Sequence, residues 1–246
     1  MSKDRQKKER FTFLRLPTRA NVCFGGEVNL HDLARLTMLS TYAQYSEYPD
    51  REDSVLLVGH TKSQRPMDKK DMRDILRLSR QTFNSFFTDV TENGMLLSLE
   101  DGSFAVNSSF FFRGKLSHNP SGRYAKGAVA KVFSEKYRLL FYSNLKNIKE
   151  IGLVVRLIPF INRYYDVLCH DPYESNVGMV RGLTVTDICR LVGMSAGNVT
   201  RYRKRLEEKF ADITYEYNGV MYSLCTIRQN EKRKSSIYVS PGVISF

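Results

Sequence analysis

Several features that membrane proteins and metal sites depend on are missing from this 246-residue sequence. The sequence has no tryptophan. Its four cysteines are scattered without a CxxC pair, and this spacing argues against a zinc site and fits the reduced thiols of a cytoplasmic protein. The best apolar stretch, 151–161, is broken by Arg156 and Pro159 and falls far short of the ~20 residues of a spanning helix. We therefore expect no membrane partner and no bound metal.

Catalytic motifs are also missing. The four histidines are isolated from one another, so no close histidine pair exists to hold the cation that a DNA-nicking tyrosine uses. The run 122–128 comes nearest to a phosphate-binding Walker loop, but Ala128 stands where that loop has its lysine. Neither HExxH nor GxSxG occurs. These absences favour a binding protein over an enzyme, and we expect no cofactor.

The charge of the chain points to a polyanion as partner. The formal net charge is +12, and it is uneven: residues 1–122 carry 18 basic and 15 acidic groups, whereas residues 123–246 carry 20 and 11. Such an excess is typical of proteins that bind nucleic acid or anionic membranes, and the second half is the stronger candidate. The first ten residues are charged without an apolar core, so we expect a mobile basic tail at 1–10 rather than a signal peptide.

The stretch 183–208 has the pattern of a helix, a tight turn and a second helix. Thr184 or Thr186 can cap the first helix, and Gly193 can end it in a left-handed conformation. Ser195 can cap the second helix, which is strongly basic. The pattern predicts a helix-turn-helix whose second helix enters the major groove of DNA; the alternative is a solvated basic helix.

This interpretation assigns candidate DNA contacts to particular residues. Asn198 can bond adenine and Arg201 can bond guanine, each through two hydrogen bonds. Arg203 and Lys204 are better placed for phosphates, and the basic loop 232–234 can follow the backbone or enter a minor groove. The candidate contacts of this half are Thr184, Ser195, Ala196, Gly197, Asn198, Thr200, Arg201, Arg203, Lys204, Arg205, Lys232, Arg233 and Lys234.

One order of elements is predicted twice along the chain. In 11–116 a strand precedes a helix capped by Asn29 that runs to about Tyr45; a strand at 55–58, helices at 68–77 and 80–93, and a hairpin at Asp101-Gly102 follow. In 147–246 a helix is expected over 151–169, kinked or interrupted at Pro159. A strand at 176–181, the helix-turn-helix, and a hairpin at Asn218-Gly219 with a last strand at 237–239 follow. Helix, strand, helix, helix and hairpin is the order of a winged helix.

The sequence therefore predicts an α+β, mainly helical fold with two tandem winged helix-turn-helix domains. Residues 117–146 are expected to hold a linker and a connector helix, with helix from 125 to about 144. The first domain is the weaker DNA reader because Arg77 stands where the second has glycine, and its phenylalanines suit a core or a dimer interface equally well. Its candidate contacts are Lys69, Lys70, Arg80, Gln81 and Asn84.

Two segments carry a resemblance to a known family. Residues 67–87, MDKKDMRDILRLSRQTFNSFF, and 102–116, GSFAVNSSFFFRGKL, resemble the winged helix of replication proteins of Gram-positive plasmids, in which an aromatic run followed by Arg-Gly closes the wing. The whole chain is similar in architecture to tandem winged-helix replication initiators of plasmids and phages. The resemblance implies binding to repeated origin sequences, contacts with host replication proteins, and repression of the protein's own promoter.

The expected function is sequence-specific binding of double-stranded DNA in the cytoplasm, in association with the nucleoid. Replication initiation is the first hypothesis, and a transcriptional repressor of the winged-helix type is the alternative. A winged-helix protein–protein adaptor is the second alternative. A homodimer is a candidate state in each case.

Overall fold

The fold alternates helices with short antiparallel strands. A computed structural model describes residues 10–15, 29–45, 54–59, 64–114, 129–191, 206, 208–229 and 235–245. The elements of the first half, in chain order, are β1 (Phe11–Arg15), α1 (Leu30–Ser40), β2 (Ser54–Val55), β3 (Leu57–Val58), β4 (Arg65–Pro66), α2 (Lys69–Leu76), α3 (Arg80–Glu92), β5 (Leu96–Ser98), β6 (Phe104–Val106) and β7 (Phe111–Phe112).

The second half has the same mixture of elements. They are β8 (Val129–Phe133), α4 (Ser134–Ser143), α5 (Ile148–Leu157), α6 (Val185–Leu191), β9 (Thr214–Tyr217), β10 (Val220–Ser223), β11 (Cys225–Gln229), β12 (Ser235–Val239) and β13 (Ile244–Ser245). Residues 206 and 208–212 are also helical. The mixed α and β character that the sequence predicted is confirmed, and all the strand pairs of the described residues are antiparallel.

Local capping explains where the first helices begin. The Asn29 side chain accepts the N–H of Asp32 at 3.0 Å, as predicted, and α1 then buries Leu33 and Leu36 in the core. The helix ends at Ser40 rather than near Tyr45, because the next N–H groups bond three residues back instead of four, Tyr42 to Leu39 among them.

Helices α2 and α3 are joined by a tight turn. Asp68 caps α2 in a reciprocal capping box with Asp71, and Ser79 accepts the N–H of Thr82 to cap α3. Arg77 closes α2 in the left-handed conformation with a φ of 52°. The hairpin β5–β6 follows, as predicted, and β6 pairs with both neighbours in a three-stranded sheet of order β2-β6-β5.

A four-stranded sheet of order β13-β8-β1-β7 brings distant parts of the chain together. The helix predicted for 125–144 is wrong over Val129–Phe133, which forms β8; it is confirmed over Ser134–Ser143. Burial in β8 alternates with period two, Ala130 and Val132 pointing inward, and this suits a strand. The aromatic run that the resemblance places at the close of the wing forms β7, which pairs with β1.

Helices α1 and α5 pack closely, and one buried apolar cluster runs through both halves of the chain. A Cβ on Gly152 would lie 1.7 Å from the Leu30 carbonyl oxygen, so only glycine permits this approach. The helix predicted over 151–169 ends at Leu157, and a 3₁₀ turn containing Pro159 follows. The strand predicted at 176–181 is wrong: Val177–Met179 is a 3₁₀ turn that begins after Asn176.

Two strand pairs, β9–β10 and β11–β12, lie in the described part of the second half. The predicted one, β9–β10, turns at Asn218-Gly219, both with positive φ, and is confirmed. The other, β11–β12, has the place in its sheet that β5–β6 has in the first half, because Val167 after α5 bridges Tyr238 on β12, as β2 pairs with β6. The predicted last strand at 237–239 is confirmed within β12; the basic run 232–234 lies between β11 and β12 in the sequence and outside the described residues.

Candidate nucleic-acid interface

Helix α3 carries the best-defined candidate surface. Phe83, Phe86 and Val90 are buried on one side and fix the rotation of the helix. The opposite side exposes a continuous polar face made of Arg80, Gln81, Asn84, Ser85 and Thr88. At 100° per residue these five positions fall on one side of the helix, and their side chains include the usual donors and acceptors to base edges. We call them the α3 polar face.

Three of the predicted contacts of the first half belong to this face. Arg80, Gln81 and Asn84 were predicted from the sequence, and the structure brings them together. Ser85 was noted in the sequence beside these three, and Thr88 was missed. Spacing alone would have found Thr88, because it lies four residues after Asn84, one turn along the same face.

The other two predicted contacts, Lys69 and Lys70, are exposed in the first turn of α2. The Lys69 ammonium lies 4.2 Å from the centroid of the Phe87 ring, so it is held against α3. Carboxylates also lie here: Arg65 bonds Asp71 through two hydrogen bonds of 2.6 and 2.8 Å, and these lower the pKa of Asp71. The lysines therefore face an environment of mixed charge.

The tip of the β5–β6 hairpin is acidic. Glu100 and Asp101 are exposed, and hydrogen bonds from the Ser103 hydroxyl and N–H lower the pKa of Asp101. A DNA phosphate brought close to this tip would be repelled. The charge of the hairpin tip is therefore unfavourable for a phosphate contact.

Arg77 ties the turn before α3 to helix α4. Its guanidinium lies 4.6 Å from the centroid of the Tyr142 ring, and the Tyr142 hydroxyl donates to the Ile75 carbonyl at 3.0 Å. Burial raises the pKa of Tyr142 to about 12, so the hydroxyl stays protonated as a donor. These contacts explain how the position holds an arginine where the second half has glycine.

Thr184 is the one predicted contact of the second half that lies within the described residues. Its hydroxyl accepts the N–H of Asp187 at 3.1 Å and donates to the Asp187 carboxylate at 2.6 Å, so it caps α6 as the sequence predicted. Burial opposes ionisation of Asp187, but the hydrogen bonds from the Thr184 hydroxyl and N–H outweigh it and lower the pKa of Asp187. The structure therefore shows a capping role for this hydroxyl, and the DNA contact predicted for Thr184 stays a prediction.

The remaining predicted contacts lie outside the described residues and stay predictions. Their flanks are described: Ile188 on α6 and Leu206 and Phe210 after it are buried, as two packed helices require. Strands β11 and β12 flank the basic loop. The residues concerned are Ser195, Ala196, Gly197, Asn198, Thr200, Arg201, Arg203, Lys204, Arg205, Lys232, Arg233 and Lys234.

Sequence reasoning also missed a group of three arginines, Arg10, Arg113 and Arg138, which we call the arginine cluster. They are far apart in the sequence and meet only because β1, β7 and α4 pack together. No local pattern marks them. Within the described residues, no group of three or more histidine, cysteine or acidic side chains could hold a metal ion.

Comparisons with known proteins assign the chain to no family. No protein-family model, curated protein or solved structure matches the chain. In the part of the chain that the structure describes, no helix combines the length and hydropathy of a membrane-spanning segment.

Proposed function

We propose that the protein binds double-stranded DNA in a sequence-specific manner through two winged helix-turn-helix units. The observation that carries the proposal is the α3 polar face, presented after a tight turn and backed by the sheet β2-β6-β5. A helix held by its apolar side against a small antiparallel sheet leaves its polar side free to enter a major groove. This proposal describes a binding protein rather than an enzyme.

The second unit supports the same proposal. Its sheet repeats the order of the first, with the segment at Val167 beside β12 and β12 beside β11. In a winged helix, the loop joining the last two strands is the wing, so Lys232, Arg233 and Lys234 would provide basic wing contacts. The helix predicted from Ser195 would read the groove, and this half carries most of the positive charge.

The two units would then make different contacts with DNA. The first unit has an acidic hairpin tip and would read bases through the α3 polar face. The second unit would supply most phosphate contacts, and its affinity would fall with salt at a slope of about −0.9 in log K per phosphate neutralised. Two linked modules raise each other's effective concentration on adjacent sites.

The biological role that we propose is replication initiation at repeated origin sequences, with the protein associated with the nucleoid in the cytoplasm. The resemblance of residues 67–87 and 102–116 to plasmid replication proteins supports it, and it implies host replication proteins and a homodimer as partners. A transcriptional repressor is the alternative and would use the same contacts. Direct repeats in the bound DNA would favour an initiator, and a single inverted repeat over a promoter would favour a repressor.

A protein–protein adaptor is a second candidate because apolar side chains are exposed away from α3. Met221 on β10 is 62% exposed and Val177 is 70% exposed. Exposed apolar side chains of this size are common at protein contacts. An adaptor would keep its activity after charge reversal at Arg201 and Arg203, whereas a DNA-binding protein would lose it.

The proposal can be tested by recovering genomic DNA bound to the protein and measuring gel shifts on the recovered site. We expect Asn84→Ala and Arg80→Ala to weaken binding, because each loses a contact of about 1–3 kcal/mol if α3 reads bases. Arg73→Ala is the matched control, since Arg73 pairs with Asp74 off the α3 polar face. Equal affinity of all three variants and the wild type would remove α3 from the interface.

A further inference from the structure

We propose that the arginine cluster, Arg10, Arg113 and Arg138, forms a binding site for a phosphate-type oxyanion. The inference is independent of the proposed function, because it concerns the end of α1 and the start of α4 rather than the α3 polar face. It needs only that the three guanidinium groups be close together, short of negative charge and partly free to donate.

The geometry of the α1 C-terminus brings two of the groups together. Arg138 donates from Nε to Thr41 Oγ1 at 2.8 Å and from Nη2 to the Thr41 carbonyl at 2.6 Å. Arg113 donates from Nη1 to the Ala43 carbonyl at 3.2 Å. These carbonyls are two residues apart, which limits the separation of their Cα atoms to about 7 Å. Both guanidinium groups therefore bond the same short segment after α1, and repulsion from Arg138 contributes to the lowered pKa of Arg113.

The third group belongs to Arg10, which directly precedes β1. The Arg10 carbonyl accepts the N–H of Ser134 at 2.9 Å, at the beginning of α4 and one turn before Arg138. Arg10 is exposed, and its charge acts on both Arg113 and Arg138. Three cations thus converge from three elements of the fold.

No ion pair within the described residues neutralises the cluster. Burial lowers the pKa of Arg113, and repulsion from Arg10 and Arg138 lowers it further. Burial is also the largest cause of the lowered pKa of Arg138; Tyr42 and Tyr142 oppose this lowering, repulsion from Arg10 adds to it, and the exposed Glu135 opposes it least. Half-buried cations that repel one another are stabilised when an anion is placed among them.

Enough donors remain to hold such an anion. A guanidinium has five N–H groups. In the described contacts Arg113 uses one of them and Arg138 uses two. The Arg138 guanidinium also lies over the Tyr42 ring, 3.7 Å from its centroid. The edges of the planar groups remain, and guanidinium edges match the oxygens of phosphate in pairs. A phosphate group has the charge and the number of acceptors to engage three such groups together.

A phosphate group can reach this site either free or as part of DNA. From Arg138 the aromatic side chains of Tyr42 and Tyr142 continue to Arg77 beside α3. Arg138, Tyr42, Tyr142 and Arg77 thus form a row with an arginine at each end, and a duplex bound at α3 that followed this row would place a backbone phosphate beside the arginine cluster. The chemistry is the same in both cases.

The test is a calorimetric titration of the full-length protein with inorganic phosphate at constant ionic strength. We expect saturable binding that Arg113→Gln and Arg10→Gln each weaken about tenfold, because each removes a charge-assisted hydrogen bond. Arg10→Gln guards against misfolding, because the Arg10 side chain has no hydrogen bond within the described residues. Arg73→Gln is the control and should bind phosphate like the wild type.

Competition with a non-specific duplex separates the two sources. If the duplex displaces phosphate, the site belongs to the path of the DNA backbone; if phosphate stays bound beside the duplex, the ligand is a free oxyanion. Both results support an oxyanion site. Absence of saturable phosphate binding, or binding that neither Arg10→Gln nor Arg113→Gln weakens, would overturn the proposal.

Discussion

Gly152 is the residue on which the packing of the two halves depends most directly. It lies where α5 crosses the start of α1, and a Cβ there would overlap the Leu30 carbonyl oxygen. A backbone atom cannot move aside as the end of a flexible side chain can. The α1–α5 contact therefore has no room for a side chain at position 152.

Gly152→Ala should destabilise the protein by roughly 3 kcal/mol, at the upper end of the usual cost of overpacking. Urea unfolding followed by circular dichroism gives the free energy of unfolding. Gly178→Ala is the matched control, because its Cβ would meet only the Asn176 side chain at 3.4 Å. If both variants lose the same small amount of stability, the close crossing of α1 and α5 is wrong.

The Thr184 hydroxyl takes part in the cap of α6 through two hydrogen bonds with Asp187. Thr184→Val removes the reciprocal cap with Asp187 and should cost about 1 kcal/mol, whereas Thr184→Ser keeps the hydroxyl and should cost little. Urea midpoints of the two variants check this. Should Thr184→Val unfold at the same midpoint as Thr184→Ser yet bind DNA more weakly, the residue would be a DNA contact instead.

At the scale of elements, the first turn of α2 combines a capping box with an ion pair. The hydrogen bonds from Arg65 are the largest cause of the lowered pKa of Asp71. A carboxyl group with a lowered pKa in the folded state contributes stability above its unfolded value, about 3.9. That contribution is lost as the pH falls through the lower, folded-state pKa.

Asp71→Asn should therefore reduce stability modestly at pH 7 and progressively less below about pH 4. The measurement is the urea midpoint of the variant and the wild type from pH 7 to pH 2. Asp74→Asn is the control, because Asp74 is exposed and takes no part in the cap. A gap between Asp71→Asn and the wild type that stays constant over this range would contradict the assignment.

The elements that the sequence predicted correctly are those with local signals. Asn29 and Asp68 cap helices because a side chain bonds a backbone group three residues on, and Asn218-Gly219 turns a hairpin by its own backbone preferences. Strand β8 was predicted as helix because its partners, β1 and β13, come from the two ends of the chain. Pairing with strands that are distant in the sequence overrides a local helical preference, and a short stretch of sequence does not reveal that pairing.

The candidate site residues, too, were predictable only where they lie close together in the sequence. The spacing of Arg80, Gln81 and Asn84 on one predicted helix was enough to place them together on the α3 polar face. The arginine cluster was beyond prediction, because its members come from three elements whose packing no spacing reveals. The hairpin β11–β12 was also not predicted: β9–β10 has the stronger turn signal, whereas the pairing of β11 with β12 and the bridge from Val167 to β12 have no local signal.

At the scale of the whole molecule, the two halves are joined through their first helices, α1 and α5, and share one buried cluster. Two DNA-binding units held this way would have a fixed separation and would favour sites with a fixed spacing. The net charge of +12 would supply affinity for any duplex, and specificity would have to come from the two reading helices.

The most direct test compares affinity for the recovered genomic site with affinity for a scrambled duplex, at one fixed salt concentration. Sequence-specific binding predicts a wild-type ratio of about 10³ or more. It also predicts that Asn198→Ala and Arg201→Ala each lower the ratio about tenfold while affinity for the scrambled duplex changes far less. A wild-type ratio near one, or a ratio that neither variant changes, would contradict the claim that the helix beginning near Ser195 reads DNA.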